Sequence, residues 1–265
     1  MGELVKVLIT VKTYPQPHEK YKELVCTAGV REDGSFIRLH PIAFRYKPYS
    51  QQYKKYQWIE LEVEKNEEDK RPESYKQVEG TIIKTIGESI STKKNWADRK
   101  KYVLARGVET MCHLEHLSQE QCSLGIIRPK VVEDFIYEET TRVWKPEQQK
   151  NLDQQNLFGD NLKPLKKIPY KFRYVFKCEE PNCTGHKKMI TDWELGILFL
   201  NMYEKHQSED IALAKVKETF MGKICSSNID THFFVGTVNP KKYKAWIVIG
   251  TFYPPKGDPE LPFDF

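Results

Sequence analysis

Long hydrophobic runs are missing from the 265-residue sequence. The longest, such as residues 197–200 and 245–249, fall far short of the ~20 residues that cross a bilayer, so we expect no membrane span. Residues 1–10 alternate in hydrophobicity and carry no small-residue cleavage site, which is typical of a first strand and not of a secretion signal. We therefore predict a cytoplasmic protein with no membrane partner.

Glycine-rich phosphate loops are also absent. Neither a Walker motif nor Gly-x-Gly-x-x-Gly occurs, which argues against an ATPase or a Rossmann enzyme, and Gly-x-Ser-x-Gly is missing too. The 14 glycines and 15 prolines are near average numbers, and 12% aromatic residues exclude a disordered or collagen-like chain. Six cysteines in such a chain favour reduced thiols or metal ligands over a disulfide framework.

Strand-like patterns fill the first part of the chain. Five runs alternate in hydrophobicity or are rich in β-branched residues: 4–11, 23–30, 35–41, 58–64 and 81–86. Asp33-Gly34 between the second and third run is a strong hairpin signal. The polar stretch 65–79 predicts an exposed loop. These runs predict four or five strands that close a small sheet or barrel.

The rest of the chain predicts a second unit. Residues 93–106 and 108–121 fit two short helices, 125–137 fits a strand, and the polar segment 145–169 is typical of an interdomain linker. After it we expect a strand at 170–177, a helix from the capping box Thr191-x-x-Glu194 to about 206, a helix over 208–223, and a hairpin from 233–238 and 246–253.

The predicted fold class is therefore α+β. A β-rich domain with a helical insertion would occupy residues 1–144, built on a small barrel or curved sheet of the kind that OB-fold or PUA-like modules use. After the linker 145–169, residues 170–265 would form a β-knuckle-α-α-β-β unit organised by a Cys/His knuckle.

The sharpest chemical motif is Cys178-x4-Cys183-x2-His186. Two thiolates and an imidazole within nine residues can surround a zinc ion, and the turn residues between them favour such a geometry. The candidates for a fourth ligand are His206, Cys225 and His232, and we include Cys225 in the predicted set. A water in that place would make the site catalytic. The alternatives are reactive thiols and a group of unrelated loop residues.

A second group of potential ligands comprises Cys112, His113, His116 and Cys122. His113 and His116 would share a helix face, so a metal cluster is geometrically possible. The leucines around them instead favour histidines packed on a partly buried helix face.

Basic and aromatic residues interleave between residues 38 and 58. The predicted nucleic-acid contacts are Arg38, His40, Arg45, Lys47, Tyr53, Lys54, Lys55 and Trp58. Cations neutralise phosphates and aromatic faces stack on unpaired bases, so the pattern suits single-stranded or flipped-base recognition. The net charge of +5 permits such a partner. The alternative is a solvated loop whose tyrosines pack over a sheet edge. Our leading hypothesis is a nucleic-acid-binding protein in DNA or RNA processing.

Asp192 and Glu194 suggest an enzyme as the second hypothesis. They either cap the following helix or move protons beside a metal-bound water. In the second case the protein would modify a nucleobase or nucleotide with a metal ion or a thiolate of the knuckle.

Two short segments suggest an adaptor as the third hypothesis. Gln154-Gln155-Asn156-Leu157-Phe158 is similar to the Gln-x-x-Leu-Phe peptides that bind bacterial sliding clamps. The tail 258–265 resembles the acidic, Pro-Phe-ending tails of bacterial single-strand-binding proteins, although it ends in Asp-Phe after Pro-Phe. These resemblances imply a protein partner that docks on one of the two peptides.

Overall fold

Five strands close into a β-barrel in the computed structural model, which describes residues 2–19, 22–117, 121–156, 163–238 and 245–257. The first eight strands are β1 (Glu3–Lys12), β2 (Gln16–His18), β3 (Lys22–Leu24), β4 (Thr27–Arg31), β5 (Phe36–Leu39), β6 (Trp58–Lys65), β7 (Ser74–Gln77) and β8 (Lys84–Ile86). The barrel follows the order β1-β4-β5-β7-β6, and β6 pairs again with β1. The β5-β7 pair is parallel and the other four pairs are antiparallel.

Alternation in β1 sorts its side chains to the two faces of the barrel wall. Val5, Val7 and Ile9 point into the barrel core, whereas Leu8 and Val11 belong to a second apolar cluster outside it. The predicted closure of a small barrel is thereby confirmed. The prediction of a loop over residues 65–79 is wrong, because β7 lies there and supplies the strand between β5 and β6.

A second sheet of six strands follows in the order β10-β11-β12-β14-β13-β9. Its strands are β9 (Leu124–Ile127), β10 (Val131–Glu139), β11 (Tyr170–Lys177), β12 (His186–Ile190), β13 (His232–Thr237) and β14 (Trp246–Phe252). The pair β12-β14 is parallel. The sequence pattern did not predict β12. With the barrel and a few helices, this sheet confirms the mixed α+β class.

The helices are α1 (Lys93–Val103), α2 (Met111–His116), α3 (Pro146–Asn156), α4 (Trp193–His206) and α5 (Glu209–Lys217), and a π-helical segment Glu218–Lys223 continues α5. Phe199 of α4 and Phe220 of the π-helical segment pack on the sheet in one apolar cluster with Phe135 and Tyr174. Among the described residues no helix combines the length and hydrophobicity needed to span a bilayer.

The start of α4 differs from the predicted capping box. Asp192, and not Thr191, is the N-cap, and its side chain accepts a hydrogen bond of 2.8 Å from the Glu194 backbone N–H. The Asp192 carboxylate accepts a hydrogen bond from a backbone N–H that has no partner inside the helix, as a threonine hydroxyl at this position would. The helix therefore begins one residue later than the sequence suggested.

The division into domains 1–144 and 170–265 stays a prediction. Within the first range, β9 and β10 pair with β13 and β11 of the second sheet. The predicted linker 145–169 contains α3, and its Leu152 and Leu165 are buried beside Tyr14. Residues 157–158 of the candidate docking peptide and the whole tail 258–265 lie outside the described residues.

The outer face of the barrel packs against the C-terminal sheet. Leu8 and Val11 of β1 share an apolar cluster with Ile126 and Phe234 of the sheet. We call this contact between the barrel and the C-terminal sheet the seam. Arg38 of β5 crosses it and donates hydrogen bonds of 2.8 Å and 2.9 Å to the hydroxyl and carbonyl oxygens of Ser123. The seam thus combines apolar packing with two buried hydrogen bonds from Arg38 to Ser123.

Gly29 of β4 lies where the backbone of β1 passes very close. A Cβ atom at this position would be 2.3 Å from the Leu8 carbonyl oxygen. We expect Gly29→Ala to lower the free energy of unfolding by about 1–3 kcal/mol, because a backbone oxygen cannot move aside as a flexible side chain can. Urea denaturation followed by circular dichroism measures the change. Gly222→Ala is the control, since among the described residues no atom beyond its own chain neighbours and helix backbone lies within 4 Å of the added methyl group. An equal loss in both variants would contradict the prediction.

Candidate functional site

Four side chains with metal-ligating atoms meet beside the β11–β12 hairpin. They are Cys112, Cys178, Cys183 and His186, whose ligand atoms all lie within 4.8 Å of one another. His186 Nε2 is 3.3–3.6 Å from the three sulfur atoms, and Cys178 Sγ is 3.4 Å from Cys112 Sγ. A tetrahedral shell with bonds of about 2.3 Å to sulfur and 2.0–2.1 Å to nitrogen has N–S separations of ~3.6 Å and S–S separations of ~3.8 Å. This group could therefore hold a metal ion.

The local sequence explains how the hairpin gathers three of these ligands. Strand β11 ends at Lys177, so Cys178 is the first residue of the turn, and His186 opens β12 opposite Phe176. Gly185 has φ +99°, a backbone conformation that glycine adopts without strain. The Cys178 backbone N–H donates to Cys183 Sγ at 3.4 Å, which orients that sulfur toward the group.

Cys112 reaches the hairpin from helix α2. The Thr110 hydroxyl caps this helix by accepting a hydrogen bond of 3.1 Å from the His113 backbone N–H, and it lies 2.9 Å from Glu180 Oε1 in the turn. These contacts fix α2 against the hairpin. Of the second predicted group only Cys112 joins the cluster: His113 is exposed near Glu109, and Cys122 Sγ donates to the Leu124 carbonyl oxygen.

A carboxylate orients the histidine of the cluster. Glu115 Oε2 lies 3.2 Å from His186 Nδ1, and Lys188 pairs with the same carboxylate. Burial lowers the pKa of His186, which favours the neutral ring. A neutral imidazole that donates from Nδ1 presents its Nε2 lone pair to a metal, and such outer partners are usual around metal-bound histidines.

Cys225, the predicted fourth ligand, does not join the cluster, and Cys112 stands in its place. The Cys225 thiol lies after the π-helical segment and donates to the Phe220 carbonyl oxygen at 3.3 Å. Burial raises the pKa of this thiol to about 12. The other two candidates are also elsewhere: His206 is exposed at the end of α4, and His232 Nδ1 faces the Asp230 carbonyl oxygen.

Three of the predicted nucleic-acid contacts are buried and internally paired. Arg38 is 4% exposed and bonded to Ser123, and burial lowers the pKa of its guanidinium to about 10. Tyr53 is 2% exposed, with its hydroxyl 2.9 Å from Thr27 Oγ1. The Lys55 side chain is enclosed between two carboxylates. Their types suggested a polyanion surface, whereas their environments are those of structural polar groups.

The other predicted contacts lie nearer the surface. Arg45 pairs with Glu23 and also donates to the Lys163 carbonyl oxygen, and Lys47 donates to Gln77 Oε1 at 2.9 Å. The remaining three are the exposed Lys54, which pairs with Glu88 at 3.3 Å, the half-buried Trp58, whose ring centroid is 5.1 Å from that of Tyr102, and the half-buried His40. The structure does not gather the eight side chains into one surface.

Asp192 and Glu194 come together with a lysine and not with the thiols. Lys55 Nζ lies 3.3 Å from Asp192 Oδ2 and 3.2 Å from Glu194 Oε2. Burial raises the pKa of Asp192, and the Lys55 charge opposes that shift. His186 opens β12 and Asp192 follows two residues after its end, so the two are six residues apart, which corresponds to roughly 20 Å of extended chain. These carboxylates therefore do not flank the Cys/His cluster.

A cavity of about 590 Å³ lies in the seam between the barrel and the C-terminal sheet. Its walls come from β1, β4 and β5 on one side and from β11, β12, β13 and β14 on the other. Apolar wall residues include Val11, Tyr14, Ile168, Phe172 and Ile249. Polar wall residues include Arg38, His40, Arg71, Thr191, Asp192 and Thr237. The volume falls within the roughly 300–1,000 Å³ of small-molecule pockets.

Three polar atoms of the cavity wall have no hydrogen-bond partner among the described residues. They are His40 Nδ1, Thr191 Oγ1 and Thr237 Oγ1, and each is inaccessible to solvent. Leaving such a group unpaired costs about 1–3 kcal/mol, so its presence calls for an explanation. These atoms lie behind the cavity surface, so a ligand with hydrogen-bonding edges would supply the missing partners only if the three side chains rotated toward the cavity.

Three lysines line the solvent edge of the cavity. Lys145 and Lys171 are exposed and Lys167 is half-buried. No carboxylate oxygen of the described residues lies within 4.0 Å of their ammonium groups. Burial lowers the pKa of Lys167, and repulsion from Lys171 and Lys145 adds to the shift. Lys167 Nζ also lies 5.6 Å from the ring centroid of Trp144, another cavity residue. Lys167 also donates to the Thr141 hydroxyl and, at 2.8 Å, to the Val143 carbonyl oxygen, and Glu138 stands opposite Lys171 in the β10-β11 pair. This group, the lysine rim, is a cluster of positive charge without a close ion pair among the described residues.

Sequence reasoning missed the lysine rim because its members stand in and just after the segment predicted to be a linker. A signal was present, since Trp144-Lys145 is an aromatic and basic pair in an otherwise apolar-poor stretch.

Fold and site together define an α+β protein that combines a closed five-stranded barrel with a Cys3His cluster. Residues 107–264 match the family model described as Domain of unknown function (DUF8757), and residues 3–105 match Domain of unknown function (DUF8758). The first match covers more than half of the chain, so the protein belongs to the DUF8757 family.

Comparison with solved structures adds a distant likeness. No curated protein matches the chain. Among solved structures, the chain is similar to a murine protein described as "Structure of murine DNA binding protein bound with ds DNA", at 8% identity and a TM-score of 0.33. That comparison covers 98% of this chain and 99% of the murine one.

The cluster predicts which cysteine substitutions remove a bound metal. We expect Cys112→Ser to lose most of about one equivalent of metal, because it deletes one of four ligands, and Cys225→Ser to keep it. Elemental analysis of both purified variants beside the unaltered protein measures the content. Equal metal content in the two variants would contradict the assignment of the cluster.

His40 predicts a stability change in mild acid. Burial, with help from Arg71 and Arg38 and against Asp69, lowers its pKa from 6.5 to about 4. Between these values the unfolded chain binds more protons, so the free energy of unfolding falls as the pH drops from 6.5 to 4, by about 3 kcal/mol at most. Denaturation of His40→Asn across this range should show a shallower fall. The exposed His206→Asn is the control; the same pH profile for both variants would refute the prediction.

Proposed function

We propose that this protein binds nucleic acid, with unpaired single-stranded segments as its preferred target, and that a zinc ion in the Cys3His cluster holds the C-terminal part in shape. As part of the same proposal, the protein acts in DNA or RNA processing. Binding would occur across the lysine rim and the adjoining barrel.

The observation that carries this proposal is the lysine rim. Surface lysines in this structure commonly pair with acids, as Lys6 does with Glu32 at 2.8 Å. The three rim lysines have no such acidic partner among the described residues. Lys145 and Lys171 also repel the charge of Lys167. Phosphate groups would relieve that repulsion and release counterions. Trp144 beside Lys167 adds an aromatic face on which a base can stack.

The strand order of the barrel supports the proposal. Numbered within the barrel alone, its strands follow the closed order 1-2-3-5-4, with a parallel pair between the third and the fifth. This Greek-key order is the one found in OB-folds, which bind oligonucleotides on one barrel face and its loops. We therefore favour an OB-like module over a PUA-like one. Lys54 and Trp58, of the contacts predicted from sequence, remain in the proposal as outer contacts.

The ligand set of the cluster favours zinc in a structural role. Three thiolates and one imidazole in tetrahedral spacing are ligands that zinc prefers. Four protein ligands would leave no open position for a water, which a catalytic zinc requires. Asp192 and Glu194 also lie at the far end of β12 from the cluster. These features favour a binding protein over a metal-dependent enzyme, and elemental analysis would identify the metal.

The test is the salt dependence of binding by a variant without the exposed rim lysines. Each phosphate contact to a single strand contributes about 0.7 to the slope of log affinity against log salt concentration. We expect Lys145→Gln with Lys171→Gln to weaken binding of a fluorescein-labelled single-stranded oligonucleotide and to reduce the slope by about 1.4. Fluorescence anisotropy over a series of KCl concentrations measures both quantities.

Lys215→Gln is the matched control for this test. Lys215 is exposed, as Lys145 and Lys171 are, but it lies on α5, does not line the cavity and pairs with Glu218 at 2.7 Å. Its substitution should leave the slope unchanged. Binding of the unaltered protein that does not depend on salt, or no binding at all, would sink the proposed function.

A further inference from the structure

We propose that the cavity between barrel and sheet receives a single nucleotide unit, with its base inside and its phosphate on the lysine rim. This inference rests on the proposed function for the source of the nucleotide, an unpaired residue of a bound strand. The chemistry recognised is that of a nucleoside monophosphate, whether it belongs to a strand or is free in solution.

The interior of the cavity suits a flat heterocycle. Tyr14, Phe172 and Ile249 supply apolar wall area, and Ile168 closes the space beside α4. A volume of about 590 Å³ accommodates a base with its sugar and leaves room for a few waters. A purely apolar ligand would fill this space but would leave the polar wall atoms unpaired.

The polar groups of the wall suit the hydrogen-bonding edge of a base or sugar. His40 Nδ1, Thr191 Oγ1 and Thr237 Oγ1 are buried without a partner among the described residues, and a rotation of each side chain toward the cavity on binding would bring them to the ligand. Both threonine hydroxyls can donate or accept, and a neutral imidazole nitrogen can do either according to its tautomer. Bases and sugars carry donors and acceptors on adjacent atoms, which is the complement that such a mixed wall requires.

Two guanidinium groups stand on the same wall with donors to spare. Arg38 donates to Ser123 through two of its five N–H groups. Arg71 uses three N–H groups, two toward Asp69 and one toward the Thr237 carbonyl oxygen. Both side chains line the cavity, so their remaining N–H groups can serve acceptor atoms of a ligand. These arginines are held rigidly by the seam, which makes the wall preorganised.

The distribution of charge sets the orientation of the ligand. In the interior, Arg71 is paired with Asp69 and Asp192 is paired with Lys55. Arg38 has no carboxylate within 4.0 Å among the described residues, but it is held by Ser123 and is only 4% exposed. The rim lysines also lack a close ion pair, and they lie at the solvent edge, where a charged group keeps its hydration. An anionic phosphate therefore belongs at the edge and the uncharged base belongs inside.

Cys26 offers a direct readout of occupancy. Its thiol is exposed and lines the cavity, whereas the cluster cysteines would be engaged with metal. We expect saturating nucleoside 5′-monophosphates, or a single-stranded oligonucleotide, to slow alkylation of Cys26 by iodoacetamide at least several-fold. Mass spectrometry of the Cys26 peptide measures the rate. The corresponding nucleosides should protect less, because they lack the phosphate that contacts the rim.

Threonine-to-valine substitutions test the hydrogen bonds of the wall. Valine keeps the shape of threonine and removes its hydroxyl. We expect Thr191→Val and Thr237→Val each to weaken nucleotide protection of Cys26 about five- to tenfold, the loss of one hydrogen bond. Thr251→Val is the matched control, since its hydroxyl is also buried and unpaired among the described residues but does not line the cavity.

The outcomes separate this inference from the proposed function. Protection by the oligonucleotide but not by monophosphates identifies an extruded base, and protection by monophosphates alone identifies a free nucleotide as the ligand. If Cys26 reacts at the same rate with and without both probes, the cavity inference is overturned. Salt-dependent binding of the oligonucleotide in that same experiment would leave the proposed function standing.

Discussion

Two arginines of the barrel reach across to the C-terminal sheet, and the cavity, the rim and the packing of both sheets depend on the contacts they make. Arg38 bonds to Ser123 just before β9, and Arg71 bonds to the last residue of β13. Buried charges of this kind add little net stability, because their desolvation offsets the attraction. Their strict geometry instead selects one register between barrel and sheet. A cavity with fixed walls follows from that selection.

The barrel could be predicted because its information is local. Alternation in β1 and β6 and the Asp33-Gly34 turn each show in a few consecutive residues. Strand β7 could not be predicted, because its residues are polar and it forms only when β5 and β6 offer their free edges. The assignment of β9 and β10 to the second sheet could not be predicted for the same reason. Their partners β13 and β11 lie far along the chain, and such pairing has no signal within a short sequence window.

The same contrast between local and long-range information applies to the residues of the candidate site. Cys178, Cys183 and His186 were predicted together because one turn holds them, whereas Cys112 is 66 residues from Cys178 and was grouped with its neighbours in sequence. The prediction of Arg38 and Lys55 as nucleic-acid contacts assumed exposed side chains, because a residue type by itself says nothing about burial. The lysine rim collects Lys145 from just before α3, Lys167 from the segment before β11 and Lys171 from the start of β11. Only the tertiary fold brings these charges to one edge.

The distribution of the four cluster ligands along the chain also implies an order of assembly. Three ligands lie within nine residues, so they can gather around a metal ion while the rest of the chain is still open. The fourth arrives with α2, whose position requires the completed sheet from β9 to β13. A bound metal would then complete its four-ligand shell only when the longest-range strand pairing is in place. On this order of events the metal would stabilise the completed fold and would not nucleate it.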